Sequence, residues 1–517
     1  MTDTTRAFFL EQAANFDLVP VTRRILSDFL TPVLAYRRLV SADQRTDTSF
    51  LLESVETGGR VGRYSILAAG PSMELTARGG SVHCIEHASG KELVRTDADP
   101  IALMRDMTSN LRIAPEPPGQ RPFCGGWAGW QGYDCVRRLE PEALPIEGAP
   151  PEDRDLPDLH MARYDSAVVF DHVDKTIELT VWVATSSGDA PALWDKAQQS
   201  IDALLATLRS DSVALRPGHV AIDTAAHAGL PGTPVIAQEA FESVVQRCVE
   251  YIRAGDVFQV VPSQRFDRTS QVDPFAVYRA LRVVNPSPYM IYMQSPDVML
   301  MASSPEILCR VRGNEVVSRP LAGTRQRGMN ATQDAALETE LLEDQKERSE
   351  HAMLVDLARN DLGTVCAPGT VTVDRLMDVE RYSHVMHLSS TVTGTLRPGM
   401  DCWDALAHTL PVGTVSGAPK IRAMQIIDEC ETVRRGPYAG GIGYVSYHGD
   451  MDMAIALRTI VTPVRAGSAP WTYHLQAGAG VVIDSDPHRE YLETVNKAAA
   501  LGRALDLAES MCSPSQD

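Results

Sequence analysis

Nine cysteines are spread from Cys84 to Cys512, and no two of them form a C-x-x-C pair. An odd number at scattered spacing argues against a disulfide framework and fits a reducing, cytoplasmic compartment. The N-terminus, MTDTTRAFFLEQAANFDLVP, lacks a cationic start followed by an apolar run. No stretch approaches about 18 continuous apolar residues, so neither a signal peptide nor a membrane span is expected. Positive charge is also scarce. There are 48 Lys and Arg against 67 Asp and Glu, a net charge of −19. Non-specific nucleic-acid binding needs a basic surface and is excluded on that ground. An anionic small molecule is not excluded, because a local pocket or a bridging metal can supply positive charge. A P-loop, a complete G-x-G-x-x-G and an H-E-x-x-H are missing as well.

What is present describes an ordinary globular protein. The chain has 517 residues, 44% hydrophobic and 22% charged, with room for roughly two to four domains. Residues 216–234, RPGHVAIDTAAHAGLPGTP, show neither helical nor strand period and read as a linker or long loop. We therefore divide the chain into 1–215, a connecting segment 216–236, and 237–510; residues from Ser513 on read as disordered. Alternating runs in 166–184 predict strands, and 192–208 a helix. Phe241, Val244, Val245, Cys248, Val249 and Ile252 recur at helical spacing, with Gly255 as the stop. A strand is expected from Val257 to Val261, and long helices over 333–360 and 488–509. The mixture implies an α+β fold, with sheets covered by helices.

Three constellations carry chemistry. Glu347 and Glu350, and likewise Glu490 and Glu493, are three residues apart, which puts each pair on one helix face. Two such faces opposite each other would suit Mg²⁺, a hard cation held by one or two carboxylates plus substrate and water. Spacing alone favours solvated helix surfaces over a metal site. The turns Leu321-Ala322-Gly323-Thr324-Arg325 and Gln476-Ala477-Gly478-Ala479-Gly480 follow strand-like runs and could bring backbone N–H groups to an anion, but on their own they read as simple turns. His384 and His387 lack the partners of a zinc site.

The order of these pieces is more specific than any one of them. PLAGTRQRG (320–328), KERSEHAMLVDLARNDLG (346–363), HVMHLSSTVTG (384–394), PVGTVSGAPK (411–420), RRGPYAGGIGY (434–444), AIALRTIV (454–461), QAGAGVVIDSDP (476–487) and YLETVNKA (491–498) resemble the chorismate-utilising enzyme family over nearly all of 238–505. Residues 18–180, from VPVTRRILSDFLTPVLAYRRL, resemble the N-terminal region of anthranilate synthase large subunits.

The resemblance implies two large β-sheets packed as a sandwich with helices outside. It implies Mg²⁺ on Glu350 and Glu493, polarising the ring carboxylate and diene of chorismate. It places the enolpyruvyl carboxylate on Tyr438, Arg458 and the backbone of Gly478, Ala479 and Gly480, with Gly323 and Thr324 lining the pocket. Lys497 adds positive charge. Glu306 matches the general acid that protonates the departing C4 hydroxyl, and burial should keep it protonated. His387 matches a histidine associated with completing the reaction.

Relatives differ in the nucleophile. Where isochorismate and salicylate synthases carry a water-activating lysine in a K-V-V motif, this chain has Gln259. Where aminodeoxychorismate synthases commonly carry a nucleophilic lysine in P-I-K-G-T, it has Ala322. Attack by ammonia and loss of pyruvate remain, giving anthranilate, the first committed step of tryptophan biosynthesis. Cys124, in PFCGGWAGW, does not form a glutaminase elbow and reads as a packed cysteine. A separate glutamine amidotransferase subunit is implied as the ammonia source. Leu51-Leu52-Glu53-Ser54 and Asn285 to Met290 resemble the two segments of a tryptophan-binding feedback site, formed by Ser54, Pro288, Tyr289 and Met290, within the regulatory 1–215 region and its partner. Aminodeoxychorismate synthase and a non-catalytic chorismate- or tryptophan-binding paralogue stay open as alternatives.

Overall fold

The computed structural model describes all residues except 1, 2, 43, 57–59, 117–121, 212, 216, 217, 219, 221–229, 382–384, 465–468 and 513–517. Most of the expected linker, His384 and the C-terminal tail thus lie outside the described residues.

Two antiparallel sheets, one of eleven strands and one of twelve, form the body of the molecule. Both halves of the chain build both sheets. In the first, Ser49–Glu56 from the N-terminal half pairs with Tyr289–Gln294, and in the second Gly126–Gln131 pairs with Gly441–Ser446. Thr233–Pro234, at the end of the expected linker, joins the edge of the first sheet beside Phe266 and Asp267.

Strand alternation explains the layering. Phe50, Leu52, Ile291, Met293 and Leu300 of the first sheet meet Trp130, Tyr164, Ile442 and Ala454 of the second in one buried layer. The opposite face of the first sheet, with Leu51, Tyr292 and Met301, packs on helices through Tyr36, Phe275, Leu281 and Leu501. The outer face of the second sheet packs Trp127, Leu308 and Met453 on helix residues Val355, Leu362 and Leu406. Helix, sheet, sheet and helix therefore stack in that order, as the resemblance implies. Among the described residues, no helix is long and apolar enough to cross a membrane.

The helix Gln238–Ala254 ends where Gly255 takes φ +86°, a conformation that glycine adopts without strain. The expected strand Val257–Val261 is shorter, pairing only at Gln259–Val260. The expected helix 333–360 is two helices, Ala331–Glu343 and Gln345–Val365. Asp344 breaks it, because its side chain accepts hydrogen bonds from the N–H groups of Lys346 (3.0 Å) and Glu347 (3.2 Å), capping the second helix. Helices Ala190–Arg209 and Pro487–Cys512 cover the two other expected spans.

Candidate functional site

The helices Gln345–Val365 and Pro487–Cys512 pack on Leu321–Gln326 of one sheet and Trp471–Gly478 of the other, and their charged side chains come together there. Lys497, on the C-terminal helix, donates to the carbonyl of Gly478 (3.0 Å) and pairs with Glu493 one turn earlier (2.6 Å). Gly478 ends its strand against Tyr438: a Cβ there would stand 3.1 Å from the Tyr438 hydroxyl and 2.9 Å from the carbonyl of Pro262. A Cβ on Gly480 would stand 2.9 Å from Gln259 Nε2. Both turns thus need glycine for close approach. The N–H of Gly478 reaches the Tyr438 hydroxyl and that of Ala479 bonds to Pro262 O (3.1 Å), so Ala479 is structural rather than an anion donor.

Arg458 reaches the same place from a strained backbone, φ +47°. Its carbonyl accepts from the N–H of Ser303 (3.0 Å), while its guanidinium makes no hydrogen bond or ion pair among the described residues. Burial pulls its pKa down, and Tyr438 and Glu493 stand near enough to oppose that. A cation held without a partner beside a glycine turn is suited to receive a carboxylate.

Glu306 sits between strands Val298–Ser304 and Ile307–Arg312, only 4% exposed. Its Oε1 has no hydrogen-bond partner. Burial pushes its carboxyl up to about 8; the Leu321 backbone, the Thr414 hydroxyl and the charge of Lys497 offset this only in part. It therefore holds a proton near neutral pH, as a general acid must.

Gly323 occupies a β-bulge at φ +56°, where the register shifts between Ala322 and Thr324. The bulge brings Thr324 Oγ1 to 3.0 Å and Gly323 O to 3.2 Å from His387 Nδ1. Burial pushes the imidazole down to about 4, with Arg458 and Lys497 adding to the shift, so it is neutral at physiological pH. A carbonyl at Nδ1 demands the proton there, which makes Nε2 the basic nitrogen.

The four glutamates of the two helices form one electrostatic group. Burial raises the Glu350 pKa, and Glu347, Glu493 and Glu490 raise it further while Lys346 opposes. Glu347 is held by Arg325 (3.4 Å). Glu490, bonded to Ser485 (2.7 Å), leaves its buried Oε2 without a partner. No three His, Cys, Asp or Glu among the described residues already form a closed cation cage. Two facing carboxylates with an orphaned carboxylate oxygen nearby nonetheless fit a hard divalent ion that takes its remaining oxygens from substrate and water.

A second space, about 850 Å³, opens between the sheets. Ser54, at a register shift between Glu53 and Val55, lines it together with Glu53, Pro288 and Tyr289. Arg310 donates to the Tyr289 hydroxyl (3.0 Å) and to Asp452 (3.0 Å), and Tyr289 donates to Asp452 (2.7 Å). The side chain of Met290 is not brought to this cavity. It alternates to the other face of its strand, 1% exposed, and packs under the helices, while Ile291 takes the cavity side. Pro305, Ile307 and Leu321 also line the cavity, so one wall separates it from the Glu306 turn.

Cys124 is buried, as expected of a packed cysteine, with its thiol 3.1 Å from Glu116. Sequence reading passed over Thr414, Glu431 and Arg435. The RRGPY run offers no local signal that separates Arg435 from Arg434.

A family model described as chorismate binding enzyme matches residues 47–503. The chain is 47% identical to the anthranilate synthase alpha subunit 1, chloroplastic, of Arabidopsis thaliana, over 99% of this chain and 89% of that one. It is 43% identical to anthranilate synthase component 1 of Mycobacterium tuberculosis, over 99% of this chain and 97% of that one. Its fold resembles the crystal structure of anthranilate synthase component I from Streptococcus pneumoniae TIGR4, at 36% identity, TM-score 0.71, covering 93% of this chain and 99% of that one. The chain belongs to the chorismate binding enzyme family, on its anthranilate synthase large-subunit branch.

Proposed function

We propose that this chain is the catalytic large subunit of an anthranilate synthase, a lyase that adds ammonia to C2 of chorismate, expels the C4 hydroxyl and releases pyruvate. The observation that carries the reading is the chemistry gathered in one cleft: a carboxyl that holds its proton near neutral pH at Glu306, and an amide rather than an amine at Gln259. The amide cannot act as the base that would activate water, and Ala322 offers no nucleophile, which leaves ammonia as the attacking group.

In this reading Arg458, Tyr438 and the turn at Gly478 and Gly480 hold the enolpyruvyl carboxylate, with Ala479 keeping the turn in place. Glu350 and Glu493 would hold Mg²⁺, which when bound draws electron density from the ring carboxylate and so favours attack on the ring. Glu306 gives its proton to the leaving hydroxyl. The neutral imidazole of His387, with Nε2 basic, accepts the proton whose loss accompanies departure of pyruvate. Ammonia comes from a glutamine amidotransferase subunit, in a reducing cytoplasmic setting that suits eight free, buried cysteines. The inter-sheet cavity takes tryptophan, its indole beside Tyr289 and its polar end at Ser54.

The test is direct. Purified chain with chorismate, Mg²⁺ and ammonium near pH 8 should generate anthranilate fluorescence, and a chelator should abolish it. Conversion to a hydroxylated product, or none, would sink the reading.

A further inference from the structure

Arg435 lies behind the cleft, 2% exposed, and spends its guanidinium on backbone and on one carboxylate. Nη1 donates to Val415 O (2.7 Å) and Nη2 to Val261 O (2.7 Å). Nε and Nη2 bind Glu431 at 3.0 and 2.6 Å. Glu431 Oε1 in turn accepts the N–H and the hydroxyl of Ser263, both at 2.8 Å, and Gln476 donates to that hydroxyl (2.8 Å). The guanidinium carbon stands 4.5 Å above the ring of Tyr133 and 5.7 Å from that of Tyr438.

These contacts lead to three different walls of the cleft. Val415 follows Thr414, the hydroxyl neighbour of Glu306. Val261 continues the short strand that carries Gln259, and Ser263 is the cross-strand partner of Gly478. The Thr414 and Gly478 walls come from distant parts of the chain and meet the 259–263 segment through backbone bonds, Phe258 N–H to Ala418 O at 2.7 Å, Val261 N–H to Ser416 O at 2.9 Å and the Ser263–Gly478 ladder among them; the Arg435–Glu431 pair is the side-chain tie that reaches all three at once. A planar cation with five donors fixed at set angles can hold such segments at set distances; a lysine, with one flexible nitrogen, cannot.

We propose that Arg435, through Glu431, is a positioning residue for the amination, fixing the Glu306–Thr414 wall against the Gln259 wall and the Gly478 turn without touching substrate. The proposal rests on the reading above. Reacting groups displaced by an ångström cost about a hundredfold in rate, so the effect belongs in kcat. Chorismate affinity should change far less than turnover, because Arg458 and the metal carboxylates, which Arg435 does not touch, still hold the substrate when the Gly478 turn shifts.

Two variants separate positioning from mere charge balance. Arg435→Lys keeps the ion pair with Glu431. The double variant Arg435→Met/Glu431→Leu removes both buried charges, which relieves the penalty of leaving one unpaired. Anthranilate formation, chorismate KM and Tm are measured on each, with saturating Mg²⁺ and ammonium. We expect folded proteins whose kcat falls by about a hundredfold while KM stays within about threefold. A folded variant with kcat within threefold of wild type, or a loss confined to KM, overturns the proposal. If neither variant folds, Ser263→Ala, which trims one hydroxyl from the same network, should still lower kcat several-fold, and unchanged turnover there overturns it. A wild-type chain that makes no anthranilate sinks the functional reading and this inference together. An active wild type beside an equally active double variant sinks only the inference.

Discussion

The catalytic cleft and the inter-sheet cavity both use arginines, and they treat them oppositely. Arg458 in the cleft is strained and its guanidinium has no partner among the described residues; Glu306 Oε1 and Gln259 Oε1 are likewise buried without hydrogen bonds. In the cavity, Arg310 is bonded to Asp452 and Tyr289, and Arg312 to the Tyr444 hydroxyl (3.0 Å). Burying an unmade hydrogen bond costs about 1–3 kcal/mol, more for a charge. The cleft carries several such costs, which a reacting ligand can relieve. The cavity carries few, because its arginines are already bonded within the fold.

This contrast is broken most sharply at Glu306. Glu306→Gln should cut anthranilate formation by about 10²–10⁴-fold with the circular dichroism spectrum unchanged. Retention of even a tenth of the activity would assign the acid elsewhere. The pH profile carries the same sign: the acid form is present below about 8 and lost as pH rises through it. With glutamine and the partner subunit supplying ammonia, kcat should therefore fall across that pH.

Next come the carboxylates. Glu350→Gln and Glu493→Gln should each lower turnover by about a hundredfold at limiting Mg²⁺, read from Mg²⁺ titrations of activity. A variant with wild-type Mg²⁺ dependence is not a ligand. Arg458→Met should raise chorismate KM by about ten- to a hundredfold, the worth of a charge-assisted bond of roughly 1.5–3 kcal/mol. Because it removes an unpaired cation, its Tm should not fall.

The cavity should answer more quietly. Ser54→Arg should weaken tryptophan binding by at least about tenfold, through bulk and repulsion of the ligand's ammonium, while turnover is spared. Calorimetry with and without saturating chorismate reads it, since coupling between the two sites must be equal in both directions. Met290→Ala should do the reverse. It should cost about 2–4 kcal/mol of stability by opening a core void and leave tryptophan affinity within about twofold. A large affinity loss there would mean that the strand face has been assigned wrongly.

Sequence alone was sufficient where spacing maps directly onto geometry. Spacing put each i, i+3 glutamate pair on one helix face, and the two pairs do interact electrostatically; the approach of Gly480 to Gln259 appears only in the structure. Sequence alone failed where tertiary context chooses between neighbours. Ser54 and Tyr289 reach the cavity but the Met290 side chain does not, because alternation along the strand depends on which face the sandwich buries. Asp344 broke an uninterrupted helical pattern by capping. Arg435 and Thr414 had no local mark at all, since their roles exist only once remote segments have met.

The interleaving of the two sheets also bears on how the chain is made. Gly126–Gln131 leaves the ribosome long before Gly441–Ser446, its partner on one side, and Ser49–Glu56 waits for Tyr289–Gln294. During that interval apolar strands with open edges have no native neighbour, the condition under which nascent chains aggregate or recruit chaperones. Pairings so distant in sequence also make for slow folding. No N-terminal fragment can close either sheet, so a shortened message yields no smaller version of this protein. Expression at lower temperature, or with holdase chaperones, should therefore recover more soluble chain than any redesign of its surface.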